Sequence, residues 1–141
     1  MRRADGGARA VCVRPGQETR EIIEVLRMRI HLLSGDDRAL LEMRLDHGNS
    51  FREIARLMGV NHRSVSRRLQ RIMRRLSDDT YEVCLGHRED FSGRELAMIK
   101  DHLVCGRSMP WVSRSHGVTL YRVKSTIDKA RRCARSARRT T

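Results

Sequence analysis

The feature that most constrains this chain is a pattern of residues that occurs twice. The segment 33–76 aligns without a gap with the segment 91–134. Serines and glycines recur at matching positions: Ser34 and Ser92, Gly48 and Gly106, Ser50 and Ser108, Gly59 and Gly117. Apolar residues recur as well, as Val65 and Val123 show. Because turn-forming and apolar positions repeat together, the pattern indicates an internal duplication of one folded unit.

Each copy has the pattern of three helices, so the fold class is expected to be all-α. In the first copy, apolar residues at helical spacing predict a first helix over about 35–46. Ser50 and Glu53 then form the S-x-x-E signature of a capping box, in which each side chain accepts from the other residue's backbone N–H. The capping box predicts that a short second helix begins directly after Ser50.

The third helix of the first copy follows a tight turn. Gly59, Val60 and Asn61 predict that turn, and the helix beyond it is expected to reach about Leu76. Val60 and Val65 are expected to complete the small core. A short helix, a turn containing glycine and a longer helix make up the helix-turn-helix layout, so the sequence predicts two tandem three-helix units of this kind.

The segments around the two copies complete the expected organisation. Residues 1–16 are expected to be disordered. The segment 17–32 has apolar residues at helical spacing, which predicts an amphipathic helix packed on the first unit or on a partner. The acidic segment 77–90 is expected to be a short linker, and 135–141 a basic tail suited to non-specific contact with phosphates.

The charge of the chain favours an anionic polymer as partner. Lys and Arg number 30 against 17 for Asp and Glu, giving a formal net charge of +13 and a pI near 11.2. A surplus of this size indicates nucleic acid, with an anionic membrane surface or an acidic protein as alternatives. Arginine outnumbers lysine, and its planar guanidinium suits bidentate contacts with phosphates and with guanine.

The third helix of each copy carries the candidate DNA contacts. No acidic residue occurs from Asn61 to Leu76, so repulsion between the arginines is unrelieved without a polyanion. The candidates in the first copy are Asn61, His62, Arg63, Ser64, Ser66, Arg67, Arg68, Gln70, Arg71, Arg74 and Arg75. Those expected to read bases are His62, Arg63, Ser66, Arg67 and Gln70. The second copy contributes Tyr121, Arg122, Lys124, Ser125 and Lys129, on a less basic face that includes an acid.

One metal-like pattern needs weighing. Cys84-x-x-His87 and His102-x-x-Cys105 have a spacing that zinc could use. The duplication, however, aligns the second pair with Arg44 and His47, a combination that needs no metal. We therefore expect no metal site.

Other functional classes find no support in the sequence. It contains no phosphate-binding glycine loop, no plausible pair of catalytic carboxylates and no nucleophile motif, so neither an enzyme nor a cofactor nor a small-molecule substrate is expected. No apolar run is long enough to span a bilayer, and the N-terminal residues lack the apolar core of a secretory signal. A cytoplasmic, nucleoid-associated location with reduced cysteines is expected.

The stretch from Phe51 to Leu76 reads "FREIARLMGVNHRSVSRRLQRIMRRL". Its acidic residue, its Ile-Ala and Gly-Val steps and its basic helix with Val and Leu inside resemble the fourth conserved region of bacterial sigma factors. The second copy is a weaker match, because Trp111 stands at the position of Glu53. The resemblance implies a double-stranded DNA binder that could touch RNA polymerase as that region does. The chain shows no aromatic-rich region of the kind with which sigma factors melt promoter DNA.

These observations leave several functions open. The leading hypothesis is a DNA-binding transcriptional regulator, and the first alternative is a non-specific DNA-organising protein. A second alternative is an adaptor that binds protein, either RNA polymerase or another copy of the chain. It is motivated by Trp111 and Tyr121, since the tryptophan could pack between the units or stack on a partner. Structured RNA is disfavoured because the sequence lacks an aromatic platform for bases.

Overall fold

A computed structural model describes residues 20–140 of the chain. Within this range the chain forms helices and no β-strand, which confirms the expected all-α fold. It divides into two compact units, an N-terminal unit of residues 20–77 and a C-terminal unit of residues 78–140. The segment 1–16, expected to be disordered, and the start of the helix expected over 17–32 lie outside the described residues.

The N-terminal unit contains four α-helices within the described residues. They are α1 (Arg20–Arg29), α2 (Gly35–Leu45), α3 (Phe51–Met58) and α4 (His62–Ser77), with a 3₁₀ turn at Ile30–Leu32 after α1. Their apolar stripes meet in a core made of Leu26, Leu33, Leu40, Leu41, Ile54, Ala55, Val65, Leu69, Ile72, Met73 and Leu76. Small Ala55 lets α3 cross α4 closely, as its position before the turn requires.

Helix α1 is attached to the rest of this unit by packing and by two arginines. Leu26 is fully buried, and α1 packs against α4. Arg29 Nη1 donates to the carbonyl oxygens of Leu76 and Ser77 at 2.9 and 3.0 Å, and so satisfies the last carbonyls of α4. Arg27 Nη1 donates to Asp46 Oδ1 at 2.6 Å, which joins α1 to the end of α2. Helix α1 is therefore part of the N-terminal fold.

The C-terminal unit contains α5 (Thr80–Gly86), α6 (Gly93–Ile99), α7 (Met109–His116) and α8 (Leu120–Arg139). A 3₁₀ turn at Arg88–Asp90 precedes α6, and a π-helical turn at Lys100–Val104 extends it. The core consists of Cys84, Phe91, Met98, Ile99, Leu103, Val112, Val123, Ile127 and Ala130. Trp111 packs half-buried against this core, with the Arg107 guanidinium 4.7 Å from the ring centroid. The tryptophan is thus held by its own unit.

The segment 77–90 is more structured than the linker that the sequence predicted. It contains helix α5, whose residues Thr80 and Cys84 are buried. Helix α5 packs along α8, and the Asp78 carboxylate accepts from both the backbone N–H and the hydroxyl of Thr80. The acidic composition concealed this helix, because its few apolar residues show no long period and its stability comes from packing on α8.

The segment 135–141 likewise differs from the expected tail, because α8 continues to Arg139. Ala130 and Ala134 are fully buried, so the inner stripe of α8 continues to the end of the predicted second unit at residue 134. Near its end, Arg138 Nη1 donates to Asp79 Oδ1 at 3.3 Å. The small apolar residues between the arginines, together with this ion pair, hold the last turns in helical form.

The prediction that Val60 lies in the core is wrong. Its side chain is 46% exposed, and only its backbone takes part in the turn, where Val60 N–H donates to the Ala55 carbonyl at 3.0 Å. The crossing of α3 and α4 is filled by Ile54, Ala55 and Val65 instead. Leu57 and Met58 are exposed beside Val60, so the end of α3 and the turn present apolar side chains to solvent.

Candidate nucleic-acid interface

The turn between α3 and α4 sets the position of the basic helix. The predicted capping box opens α3: Ser50 Oγ accepts from Glu53 N–H at 3.1 Å, and Glu53 Oε1 accepts from Ser50 N–H at 2.7 Å. The Ser50 backbone N–H and then its hydroxyl lower the pKa of Glu53 from its ordinary value of 4.5. Helix α3 ends at Gly59, whose φ of 70° and ψ of 30° lie in the left-handed region that favours glycine.

Asn61 begins α4. Its side-chain Oδ1 accepts from Arg63 N–H at 2.7 Å, and its carbonyl accepts from the backbone of Ser64 and Val65. This is the local arrangement by which asparagine caps a helix N-terminus. The Oδ1 atom of Asn61 is therefore engaged in capping α4.

The predicted contact residues of α4 fall into three groups. Arg63, Ser64, Arg67, Arg71 and Arg74 are exposed. His62, Ser66 and Gln70 are partly buried, at the sides of the exposed face. Arg68 and Arg75 are partly buried and turn towards α2. Opposite all of them, Val65, Leu69, Ile72, Met73 and Leu76 occupy the core and fix the rotation of the helix.

A single carboxylate on α2 engages the third group. Asp37 Oδ1 accepts from Arg68 Nη2 at 3.0 Å and from Arg68 Nε at 3.3 Å, and Asp37 Oδ2 accepts from Arg75 Nη2 at 3.1 Å. The sequence assigned both arginines to DNA. In the structure both are paired with Asp37 of α2, whereas Arg63, Arg67 and Arg71 form an exposed row, with Arg74 exposed beyond it.

The C-terminal unit builds a second turn with nearly the same backbone. Ser108 Oγ accepts from Trp111 N–H at 3.2 Å at the start of α7, which ends at Gly117 with φ 64° and ψ 37°. Val118 N–H donates to the Ser113 carbonyl at 3.1 Å, and Thr119 Oγ1 caps α8 by accepting from Arg122 N–H at 3.1 Å. Thus α8 starts from its turn as α4 starts from its own.

The predicted residues of α8 separate into exposed and engaged ones. Tyr121 is 81% exposed, and Arg122, Lys124 and Ser125 are exposed beside it. Lys129 is engaged within the unit: its Nζ donates to the Asp90 carbonyl at 2.6 Å and to Glu95 Oε1 at 3.2 Å, and it lies 4.6 Å from the Phe91 ring centroid. The sequence placed Lys129 among the DNA contacts because helical spacing alone does not reveal these partners.

Two residues of this face were missing from the predicted set. Asp128 and Arg132 are exposed on the same stripe as Tyr121 and Ser125, since residues seven and eleven positions apart return to nearly the same side of a helix. Their spacing from Tyr121 could have been recognised in the sequence as placing them on the same side of the helix. The acid was noted only as a departure from the first copy, and Arg132 was left out of the predicted contacts although it lies within the predicted second unit.

Three residues of the cysteine and histidine pattern make contacts inside the C-terminal unit. Cys84 is fully buried and its Sγ lies 3.8 Å from the Ala130 carbonyl, while burial and then the neighbouring Cys133 raise the pKa of its thiol to about 12. His87 Nδ1 lies 3.0 Å from the Val83 carbonyl, and His102 Nδ1 lies 2.7 Å from the Arg107 carbonyl. In the part of the chain that the structure describes, no group of three or more His, Cys, Asp or Glu side chains is arranged to hold a metal ion.

Across residues 20–140, no helix combines the length and the apolar character that crossing a membrane requires.

Comparison with known proteins finds a similarity in the N-terminal unit. No curated protein and no solved structure matches the chain. A family model described as "Sigma-70, region 4" matches residues 23–76. The matched range runs from α1 to the end of α4 and contains the capping box, the glycine turn and the basic helix. This part of the chain is therefore similar to sigma-70 region 4, which indicates a DNA-binding domain related to transcription.

Proposed function

We propose that this chain binds double-stranded DNA and regulates transcription. The exposed face of α4 is its main contact, and α8 is a second one. Each helix would enter a major groove with its N-terminal half. The proposal involves no reaction and no cofactor.

The observation that carries the proposal is the row of arginines on α4. Arg63, Arg67 and Arg71 recur every four residues on the exposed side, about 6 Å apart along the axis. The helix that bears them contains no acid, and its opposite side is anchored by a fully buried Leu69. A rigid row of guanidinium groups matches phosphates and guanine edges, and the helix N-terminus adds favourable positive potential.

A membrane surface fits this arrangement less well. A helix that binds a bilayer inserts its apolar side into the lipid. In α4 that side is already occupied, because Val65, Leu69 and Ile72 are buried in the core of the N-terminal unit. Inserting these side chains into a bilayer would require the N-terminal unit to unfold.

Single-stranded or structured RNA also fits less well. Sequence-specific RNA recognition relies on exposed aromatic rings on which bases stack. All aromatic residues of the chain lie within the described range, and of these only Tyr121 is classed as exposed. One ring provides no platform, whereas a helix presented by a turn suits the major groove of duplex DNA.

The experiment that tests the proposal is selection of bound duplexes from a random-sequence pool, followed by sequencing, at a low and a moderate salt concentration. We expect an enriched motif that survives the higher salt. Strong binding without a motif, lost steeply as salt rises, would replace the regulator with a DNA-organising protein. No binding at moderate salt would overturn the proposal.

A second candidate function rests on the exposed apolar side chains at the end of α3. Leu57 is 70% exposed and Val60 46%, and Met58 lies between them. Such a patch next to a DNA-binding face suits a protein partner, RNA polymerase or another copy of the chain. The test is co-purification with RNA polymerase and the mass of the free protein in solution, each compared between the natural chain and Leu57→Ser. Unchanged results for the variant would remove this candidate, with DNA affinity as the control that the variant is folded.

A further inference from the structure

The exposed stripe of α8 holds an acid where α4 has none. Tyr121, Ser125 and Asp128 lie along one side of α8, and Asp128 is exposed. Within residues 20–140, the carboxylate of Asp128 has neither a hydrogen bond nor an ion pair. Several other acids of the same unit are engaged: Asp78 with Arg131, Asp79 with Arg138, Glu95 with Lys129 and Asp101 with His116.

A lone carboxylate on a DNA-binding face needs a chemical reason. Close to phosphates it is repelled, and it weakens binding to every sequence equally unless it receives a hydrogen bond in return. In the major groove, the N4 amino group of cytosine is the donor that Asp and Glu accept from. An acid on such a face therefore penalises base pairs that do not present an amino donor at its position.

The other end of the stripe has different chemistry. Tyr121 lies in the first turn of α8 and is 81% exposed, so its ring would be the first part of the helix to enter a groove. An apolar ring edge in the major groove makes its favourable contact with the C5 methyl group of thymine. Seven residues separate it from Asp128, about 10 Å along the helix, or roughly three base-pair steps.

We propose that α8 reads pyrimidines: Asp128 accepts a hydrogen bond from a cytosine amino group, and the Tyr121 ring contacts a thymine methyl group. This inference rests on the proposed DNA-binding function and adds the base classes that the C-terminal unit selects. The two helices would then differ in chemistry, because the arginines of α4 match the acceptors of guanine. Lys124 and Arg132, one turn to either side of Asp128, offset its charge near the backbone.

The first experiment compares Asp128→Asn with Glu89→Gln. Both variants remove one negative charge from an exposed residue of the same unit, but Glu89 belongs to the 3₁₀ turn before α6 and not to the stripe on α8. Selection and sequencing with the full chain should give a motif with a cytosine that Glu89→Gln retains. Asp128→Asn should lose preference at that one position by about tenfold.

The outcomes separate the inference from the proposed function. If both variants keep the same motif and bind all duplexes more tightly by the same factor, Asp128 acts only through its charge and the inference is wrong, while DNA binding stands. If the natural chain selects no motif or binds no duplex, the inference falls together with the sequence-specific function.

The second experiment tests the ring. Each thymine of the selected site is replaced in turn by deoxyuridine, which removes only the methyl group. We expect one replacement to weaken binding of the natural chain by about fivefold and to leave Tyr121→Ala unaffected, because that variant has already lost the contact. An equal loss in both proteins at every thymine would contradict the contact.

Discussion

Among individual residues, Asp37 determines how many arginines of α4 face outward. Its carboxylate holds Arg68 at 3.0 Å and Arg75 at 3.1 Å, and the side chains of these two arginines are 38% and 24% exposed. Ion pairs with this exposure contribute about 1 kcal/mol or less to stability. Their larger effect is on binding, because an arginine paired with an acid is withheld from phosphate.

We expect Asp37→Asn to bind DNA more tightly and to be slightly less stable. Released from the carboxylate, Arg68 can reach a phosphate, so the slope of log affinity against log salt should become steeper by about one. Titrations of one duplex over a range of salt concentrations measure this slope. Asp36→Asn is the matched control, since it removes the same charge from the neighbouring, exposed residue of α2. Equal slopes for the two variants would show that Arg68 stays off the DNA.

Arg67 lies at the centre of the outward row of α4. We expect Arg67→Ala to weaken binding to the selected duplex by about 1–3 kcal/mol and to relax selection at one base position, because the guanidinium reads a base. Dissociation constants for the selected and a scrambled duplex measure both effects. Arg38→Ala, on α2, is the control for loss of one positive charge. Equal losses on both duplexes would assign Arg67 to phosphate.

The sequence predicted the exposed arginines of α4 but not the ion pairs that Arg68 and Arg75 make with Asp37. Arg63, Arg67 and Arg71 follow from helical spacing alone. The pairing of Asp37 with Arg68 joins residues 31 positions apart, so it depends on how α2 packs against α4. The contact of Lys129 with Glu95 was not predicted for the same reason, since the two residues are 34 positions apart.

Among the elements, the glycine turn is the part on which the direction of α4 depends. Gly59 has a φ of 70°, and a Cβ added there would meet nothing within 4 Å. The whole penalty of a side chain at this position is therefore backbone strain. We expect Gly59→Ala to lower the free energy of unfolding by about 1 kcal/mol, measured by urea denaturation.

Gly59→Asn provides the control for this prediction, because asparagine tolerates the left-handed region better than alanine does. It should recover part of the lost stability. If the two variants are equally destabilised, the strain argument fails and the loss has another cause.

The start of α6 carries a pH-dependent contribution to stability. Burial acts to raise the pKa of Glu95, but hydrogen bonds from the Ser92 backbone and from Lys129 outweigh it and leave the pKa below its ordinary value of 4.5. The native state thus keeps Glu95 ionised where the unfolded chain takes up a proton. The stabilisation is present above about pH 4.5 and is lost as the pH falls through the lowered pKa.

We therefore expect Glu95→Gln to be less stable than the natural chain at about pH 6, with the difference shrinking towards about pH 3. Urea midpoints across this range measure it. Glu89→Gln, at an exposed residue of the adjacent 3₁₀ turn, is the control for the loss of one carboxylate from the same unit. A difference that stays constant with pH would mean that the carboxylate of Glu95 does not supply the stabilisation.

Elements defined by local chemistry were predictable, and elements defined by packing were not. The capping box of Ser50 and Glu53 is complete within four residues, so its signature could be read directly. Helix α5 lacks such a signature, and its helical form depends on burying Thr80 and Cys84 in the C-terminal unit. The exposure of Val60 was missed because spacing shows which residues are apolar but not where the neighbouring helix ends.

For the whole molecule, charge governs how binding responds to salt. With a net charge of +13 and arginines exposed on both α4 and α8, we expect about six to ten phosphate contacts. Affinity for a duplex should then fall with a log–log salt slope of about −5 to −9. Titrations at several salt concentrations give this slope. A slope near zero would contradict contact with the DNA backbone and would favour the protein-binding function.

The buried thiol of Cys84 makes the C-terminal unit report its own opening. A thiol enclosed by α5 and α8, with a pKa raised to about 12, is shielded from reagents and almost wholly unionised near neutral pH. It becomes alkylated only when α5 separates from α8, whereas Cys105 and Cys133 are only half-buried. The rate at which Cys84 is modified therefore measures how often this part of the C-terminal unit unfolds locally. If DNA bound to α8 slows the alkylation of Cys84, DNA binding and folding of this unit are thermodynamically linked.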